Sequence, residues 1–448
     1  MRTLLLLLGL VLCTADSSRP RSIVVVATQA FYVSPKGSDS NEGKSLARPF
    51  LTLEKAQTAM RNSSTVKTTY LMEGTFNRTQ ELHLTISDNG ESWLAYPGQR
   101  PILNGRNSVD QGIYIIADNI SIKGLTIENY TSGGIYSKYS NNLLLDSNTV
   151  LNITSPDSRF GTNNSSIYIE NVKSGTITHN LVNGNTNMGI EVMSARSESN
   201  ADTIVTYNEV YNVCSSVNDC GAIYLYDPTH SVHGLAVLNN IVGNYGPNTS
   251  NESKGIYLDY DASWVTVQNN IVYGTGQYAI QIHGGNDISI MNNIFDISRA
   301  RKLGLYQDCT AASCGSTPNY GMTNNVFQQN IVYSSGAFPS AVWDCINQSG
   351  GTIANPADSN NLYHNPADSF PNGGTKVDAR PTVGDPGFSN PSSANYSLTT
   401  RFASDAIGFQ AIDQRQMGPS WPYERARPVA GMSMSTQGSS RRQKAPPK

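Results

Sequence analysis

Along the middle of the chain, a short apolar unit recurs in which Gly, Ala or Ser precedes Ile and usually Tyr. It appears as Gly112-Ile113-Tyr114, Gly134-Ile135-Tyr136, Ser166-Ile167-Tyr168, Gly189-Ile190-Glu191, Ala222-Ile223-Tyr224, Gly255-Ile256-Tyr257 and Ala279-Ile280-Gln281. The Ile-to-Ile steps are 22, 32, 23, 33, 33 and 24 residues. The base period is therefore near 23, with about ten residues inserted in three of the turns. A second element follows each unit: an Asn before an apolar pair, at Asn148, Asn180, Asn208, Asn240, Asn270, Asn293 and Asn330.

Short β-branched strands punctuated by Gly exclude a helical solenoid, and a sandwich or propeller would not give this Asn register. The pattern predicts an all-β solenoid, a single-stranded right-handed parallel β-helix. In it Ile stacks on Ile inside, strands alternate inward and outward, and Asn at a turn tolerates the left-handed region while bonding along a ladder. The ordered chain is expected to begin at Phe31. A short capping helix over about Leu53–Arg61, N-capped by Thr52, would seal the first coil. Asp385-Pro386-Gly387-Phe388 to Asp413 reads as the closing segment.

The ends carry different signals. Met1-Arg2-Thr3, the apolar run Leu4 to Leu12 and Cys13-Thr14-Ala15 predict a secretory signal peptide over 1–15, then a linker over 16–30. The apolar run is too short for a bilayer span. From Gln414 to Lys448 Pro, Ser and Arg dominate, with seven basic residues and one acidic, which predicts a disordered basic tail. The β-helix domain is thus expected over 31–413.

Charge narrows the partners. The chain has 31 Lys+Arg against 34 Asp+Glu, and only 15% of residues are charged. A body without net positive charge excludes a basic nucleic-acid binder. A secreted, extracellular location suits disulfides, and Cys214/Cys220 and Cys309/Cys314 are spaced to close small loops, with Cys345 left over. Eleven N-x-[ST] sequons, at Asn62, Asn77, Asn119, Asn129, Asn152, Asn163, Asn164, Asn248, Asn251, Asn347 and Asn395, fit a glycoprotein. Serine-triad, P-loop, dinucleotide and metalloprotease motifs are absent. The chain is expected to be a monomer.

From Phe31 to Asp413, the opening segment, the Gly-Ile-Tyr coils and the closing segment resemble secreted right-handed β-helix proteins that act on carbohydrates. In pattern the chain is most similar to β-helix glycoside hydrolases of the fucosidase/xylanase type, with pectate-lyase-like and alginate-acting enzymes more distant. The resemblance implies a sugar chain held across the outer face of one parallel sheet, at the middle coils.

With each Ile inward, Tyr224, Tyr257 and Gln281 face outward in one column, and Tyr226, Asp259 and His283 form a second, exposed one. Glu191 lies outward on the coil before, with Glu170 and Lys138 earlier still. Tyr224, Tyr226, Tyr257, Gln281, His283 and Glu191 are the expected substrate-binding residues, unless the tyrosines merely stabilise the sheet. The resemblance implies an aspartate just before the Gly-Ala-Ile-Tyr strand and another within Gly-Ile-Tyr-Leu-Asp. Asp219 and Asp259 stand there, with Asp261 as a substitute. Glycoside hydrolysis needs two carboxyls flanking the bond. Cys220 stands where a second Gly is common in the resembling proteins.

Three functions compete. A glycoside hydrolase would use the Asp pair with no metal and no cofactor. A polysaccharide lyase or uronate epimerase would turn Asp219, Asp259 and Asp261 into a Ca²⁺ cluster with Tyr257 or His283 as base. A non-catalytic glycan-binding protein would need only the tyrosines. An acidic body disfavours a polyanionic substrate without a metal.

Overall fold

The structure is a computed structural model. It describes residues 29–420 apart from 155–163, 195–199, 229–232, 247–251, 300–301, 308–321, 340–341, 348–356, 368–377 and 379. Three long parallel sheets run the length of the molecule, and a typical coil gives one strand to each. The first sheet has twelve strands, from Phe31–Val33 to Ala357–Ser359; the second has ten, from Leu82–Leu84 to Trp343–Asn347. The third has twelve, from Gly74–Asn77 to Thr382–Val383. Parallel pairing forces the chain once round the axis before a strand meets its neighbour. The result is the expected right-handed parallel β-helix.

The Ile units are the inner row of the second sheet. Ile113, Ile135, Ile167, Ile190, Ile223, Ile256 and Ile280 pair in register from coil to coil. All are fully buried, so the long core is a stack of like side chains.

The Asn residues make a buried ladder in the turn between the first and third sheets. The Nδ2 of Asn240 donates to Val205 O at 2.9 Å and to Asn270 Oδ1 at 3.0 Å, while its own Oδ1 accepts Asn208 N. The same pattern runs from Asn148 to Asn361, where Asp378 accepts the last amide at 3.0 Å. One expectation is corrected. The left-handed backbone belongs not to these Asn but to the residue before each, such as His179, Tyr207, Asn239 and Asn269. That turn residue reverses the chain and frees the Asn carboxamide to bond along the axis.

Helix α1 (Leu53–Arg61) forms where expected, with Thr52 Oγ1 accepting Lys55 N at 3.2 Å. Leu53, Ala56 and Met60 are buried against the first coils. The closing segment behaves differently from the expectation. It folds back along the outer face of the third sheet, over the apolar row Ile241, Ile271, Ile294, Ile331 and Leu362. Tyr396, Ile407, Phe409 and Met417 cover that row. Gln410 N meets Asn292 Oδ1 at 2.6 Å, Gly418 N donates to Tyr207 O at 2.7 Å and Ser420 N to Ser147 Oγ at 3.3 Å. Each anchor lies on an earlier coil, so the strap runs back along the axis. Residues 414–420, assigned above to the tail, are packed, because an outward row of Ile and Leu needs apolar cover.

Cys214 and Cys220 form a disulfide. The Cys309/Cys314 pair, the signal peptide and residues 421–448 of the tail lie outside the described residues. Among the described residues no helix is long and apolar enough to cross a membrane.

Candidate functional site

The second sheet brings the expected columns together. Glu191, Tyr224, Tyr257 and Gln281 follow one another in register, as do Met193, Tyr226 and Asp259. His283 follows Ile282, the partner of Leu258, and so continues the second column. The expected exposure is not met. Tyr224 is fully buried, and Glu191, Tyr257, Asp259 and Gln281 expose no more than 4% each. Tyr226 and His283 alone of the seven site residues in these columns are half-buried. Coil spacing of ~4.8 Å is close to one ring's thickness and width, so each large side chain roofs its neighbour. The rings of Tyr224 and Tyr257 meet edge-on at 5.2 Å, and those of Tyr136 and Tyr168 stack at 4.5 Å.

Asp259 is the best-held carboxylate of the site. It ends the strand Ser253–Asp259. Its Oδ2 accepts the Tyr224 hydroxyl at 2.6 Å, and its Oδ1 accepts Tyr260 N at 2.8 Å and lies 2.6 Å from His283 Nδ1. The Tyr257 hydroxyl is 3.2 Å from the same His283 nitrogen. Burial, then Asp259, pushes the Tyr224 phenol well above its ordinary range. Burial, Asp259 and Asp219 do the same to Tyr257. Both phenols therefore stay protonated and able to donate, and Tyr257 feels both aspartates.

Asp219 approaches from the loop that enters the strand Cys220–Tyr226. Its backbone is left-handed, φ 55°, and the Cys214–Cys220 disulfide closes the loop beside it. Its half-exposed carboxylate takes Lys254 Nζ at 2.6 Å. Sequence reasoning missed Lys254. Its side chain is 2% exposed, and its Nζ lies 4.4 Å from the Tyr257 ring centroid. The available signal was a lysine directly before the apolar Gly255-Ile256-Tyr257-Leu258 run, opposite Gly221 in register. A Cβ on Gly221 would meet Tyr257 Cβ at 2.9 Å, so this crowded point admits only glycine.

Asp261 lies two residues beyond the end of the strand that carries Asp259. It occupies a left-handed turn, φ 65°, and its Oδ1 lies 2.0 Å from where a Cβ on Gly284 would sit. Among the described residues no group of three or more His, Cys, Asp and Glu is placed to hold a metal.

A second polar cluster lies on the same face, N-terminal to the first. Lys138 Nζ meets Glu170 Oε2 at 2.7 Å, and the Tyr168 hydroxyl donates to the same oxygen at 2.7 Å. Glu191 accepts the Ser165 hydroxyl; burial and Glu170 push its carboxyl up to about 7. Lys138 and Lys254 are thus each engaged by a carboxylate on this face.

Known proteins agree with the architecture. A family model for a right handed beta helix region matches residues 111–295. The uncharacterized protein YwoF of Bacillus subtilis (strain 168) is 24% identical over 443 residues, covering 82% of this chain and 90% of the relative. Among solved structures, a lacto-N-biosidase from Eubacterium ramulus superposes with a TM-score of 0.50 at 11% identity, covering 79% of this chain and 66% of that one. An alginate lyase from Paenibacillus gives 0.46 at 13% identity, covering 72% of this chain and all of the other. The likeness to the lacto-N-biosidase is one of fold alone.

Proposed function

We propose that this protein is a secreted carbohydrate-active enzyme, a glycoside hydrolase that cleaves a glycan on the outer face of the second sheet. The observation that carries this reading is that Asp219 and Asp259, from successive coils, both bear on Tyr257: Lys254, ion-paired to Asp219, lies over its ring, and His283, against Asp259, meets its hydroxyl. Hydrolysis asks for two carboxyls around one bond, with different environments. Asp219, half-exposed, is the member that can meet the glycosidic oxygen or the attacking water. Asp259, fixed by donors on both oxygens, is placed to oppose the positive charge that develops on the sugar ring. Lys254 holds Asp219 in place and Tyr224 holds Asp259.

A neutral substrate fits this face better than a polyuronate. A uronate chain needs cations for its carboxylates, and Lys138 and Lys254 are already engaged by Glu170 and Asp219.

A lyase or epimerase is the second reading, and the contact between Asp259 and His283 favours it. An imidazole oriented through Nδ1 by a carboxylate can accept a proton at Nε2, and Tyr257 stands beside it. That reading also needs a partner for the uronate carboxylate. A glycan-binding protein without catalysis would keep the tyrosines and make the aspartates dispensable.

One experiment separates the three. The purified protein is incubated with a panel of glycans, with and without EDTA, while reducing ends and absorbance near 235 nm are followed. Reducing ends without absorbance, surviving EDTA and lost in Asp219→Asn and Asp259→Asn, are expected. Rising absorbance would establish a lyase, and its loss in EDTA would assign a metal to it. Binding without any product would leave a lectin-like role.

A further inference from the structure

We propose that Tyr260, with Tyr226 beside it, is an aromatic platform on which a pyranose ring stacks at the mouth of this site. The inference rests on the reading that the site takes a glycan, and it adds the residue that selects the sugar face. Tyr260 follows Asp259 directly, and its N–H donates to Asp259 Oδ1 at 2.8 Å. Its ring is therefore tied within one residue of the buried carboxylate. The ring centroid lies 5.1 Å from that of Tyr226, tilted by 32°. Unlike the buried Tyr224 and Tyr257, Tyr260 is 45% exposed.

Its backbone sharpens the case. Tyr260 has φ 52°, in the left-handed region, where a bulky side chain is disfavoured. Register places Tyr139, Asn171, Ser194, Asp227 and Gly284 at the same point of other coils, and Tyr139, Asn171 and Gly284 share the positive φ. Asn171 and Gly284 adopt the conformation at little cost, whereas Tyr139 and Tyr260 do not. Of the two tyrosines strained at this point, Tyr260 is the one that directly follows an aspartate of the site. A half-exposed phenol pair next to buried hydrogen-bonding groups suits a pyranose face that carries only C–H bonds. The hydroxyl edge of such a sugar would then turn toward Asp219 and His283.

The test uses the full chain with Asp219→Asn, so that bound glycan is not consumed. Xylan, xyloglucan, mixed-linkage β-glucan and galactomannan are cast into native gels, and retardation gives the affinity. At least one is expected to retard Asp219→Asn. Adding Tyr260→Gly should weaken that binding about tenfold or more, while Tyr260→Phe keeps it. Tyr260→Gly should also leave the melting temperature unchanged or raise it, because glycine relieves the left-handed strain; Tyr139→Gly, at the same turn with φ 54°, reports strain relief alone. Unchanged binding in Tyr260→Gly overturns the proposal, as does a panel with no binder. Binding lost only together with a lowered melting temperature also overturns it, since the ring would then be holding the turn. Tyr260-dependent binding by a protein that releases no product would keep the platform and sink the hydrolase. Product released with an unchanged KM in Tyr260→Gly would do the reverse.

Discussion

His283 Nδ1 lies 2.6 Å from one oxygen of Asp259, while the Tyr224 hydroxyl lies 2.6 Å from the other. The three residues come from three successive coils, so this carboxylate ties the middle of the second sheet together. Its replacement separates chemistry from packing. Asp259→Asn keeps the shape but sets an amide against donors. We expect kcat to fall by about 10²–10³, the usual scale for losing one preorganised charge-stabilising group. Asp261→Asn, on the outer turn, should leave kcat nearly unchanged. Steady-state rates on the substrate found in the panel check both.

The disulfide beside Asp219 should govern activity more than folding. The coils on either side of Cys214–Cys220 pair in register without its help. Reduction, or the double substitution Cys214→Ser/Cys220→Ser, frees the left-handed Asp219. A displacement of an ångström can cost ~10²-fold in rate. Turnover is expected to drop by about that factor, while the β-sheet circular dichroism spectrum stays.

Glu91 predicts a pH dependence of stability. It is fully buried at the N-terminal end, with Trp93 Nε1 donating to one oxygen at 3.1 Å and the other oxygen unpartnered. Burial and the nearby Asp88 push its carboxyl up to about 8, from an ordinary 4.5. The folded state therefore holds the proton longer than the unfolded chain. Its contribution is fully present below pH 4.5, is lost as pH rises through about 8, and is flat above. Glu91→Gln should remove that slope and exceed the wild type in stability at pH 8. Urea midpoints measured from pH 5 to 8.5 test this, and parallel slopes in the two proteins would refute it.

The Asn ladder should be costly to interrupt and distant from the chemistry. Asn240→Ala strands Val205 O and Asn208 N in a dry interior. At roughly 1–3 kcal/mol for each of these two orphaned groups, a loss of about 2–6 kcal/mol is expected. Because Asn240 lies between the first and third sheets, KM below the melting transition should not change. Denaturation midpoints and assays at low temperature read the two effects separately.

The register of the candidate site was legible in the sequence because stacking is repetition. Ile223, Ile256 and Ile280 had to face inward, and that alone put Tyr224, Tyr257 and Gln281 in one column and Tyr226, Asp259 and His283 in the next. Exposure was not legible. Whether Tyr224 is open depends on how the rings of the next coil lie over it, and spacing says nothing of side-chain tilt. Lys254 was passed over because a charge directly before an apolar run reads as a solvated residue until its partner is known. Tyr260 was passed over because a left-handed backbone leaves no mark on a tyrosine. The path of the strap from 385 to 420 was hidden for a similar reason: Tyr207, Ser147 and Asn292 meet it across distances along the chain that no local pattern records.

What the amino-acid order determined by itself was what repeats or is local: the coil, the inward isoleucines, the Asn ladder and the capped first helix. Each follows from local spacing and from the need to bury like against like. Tertiary structure decided what happens once per molecule. It buried Asp259 under Tyr224, set Lys254 on Asp219 and left Tyr260 at the surface. Those outcomes depend on side-chain directions and on contacts between different coils, whose energies are set by neighbours in space rather than in sequence.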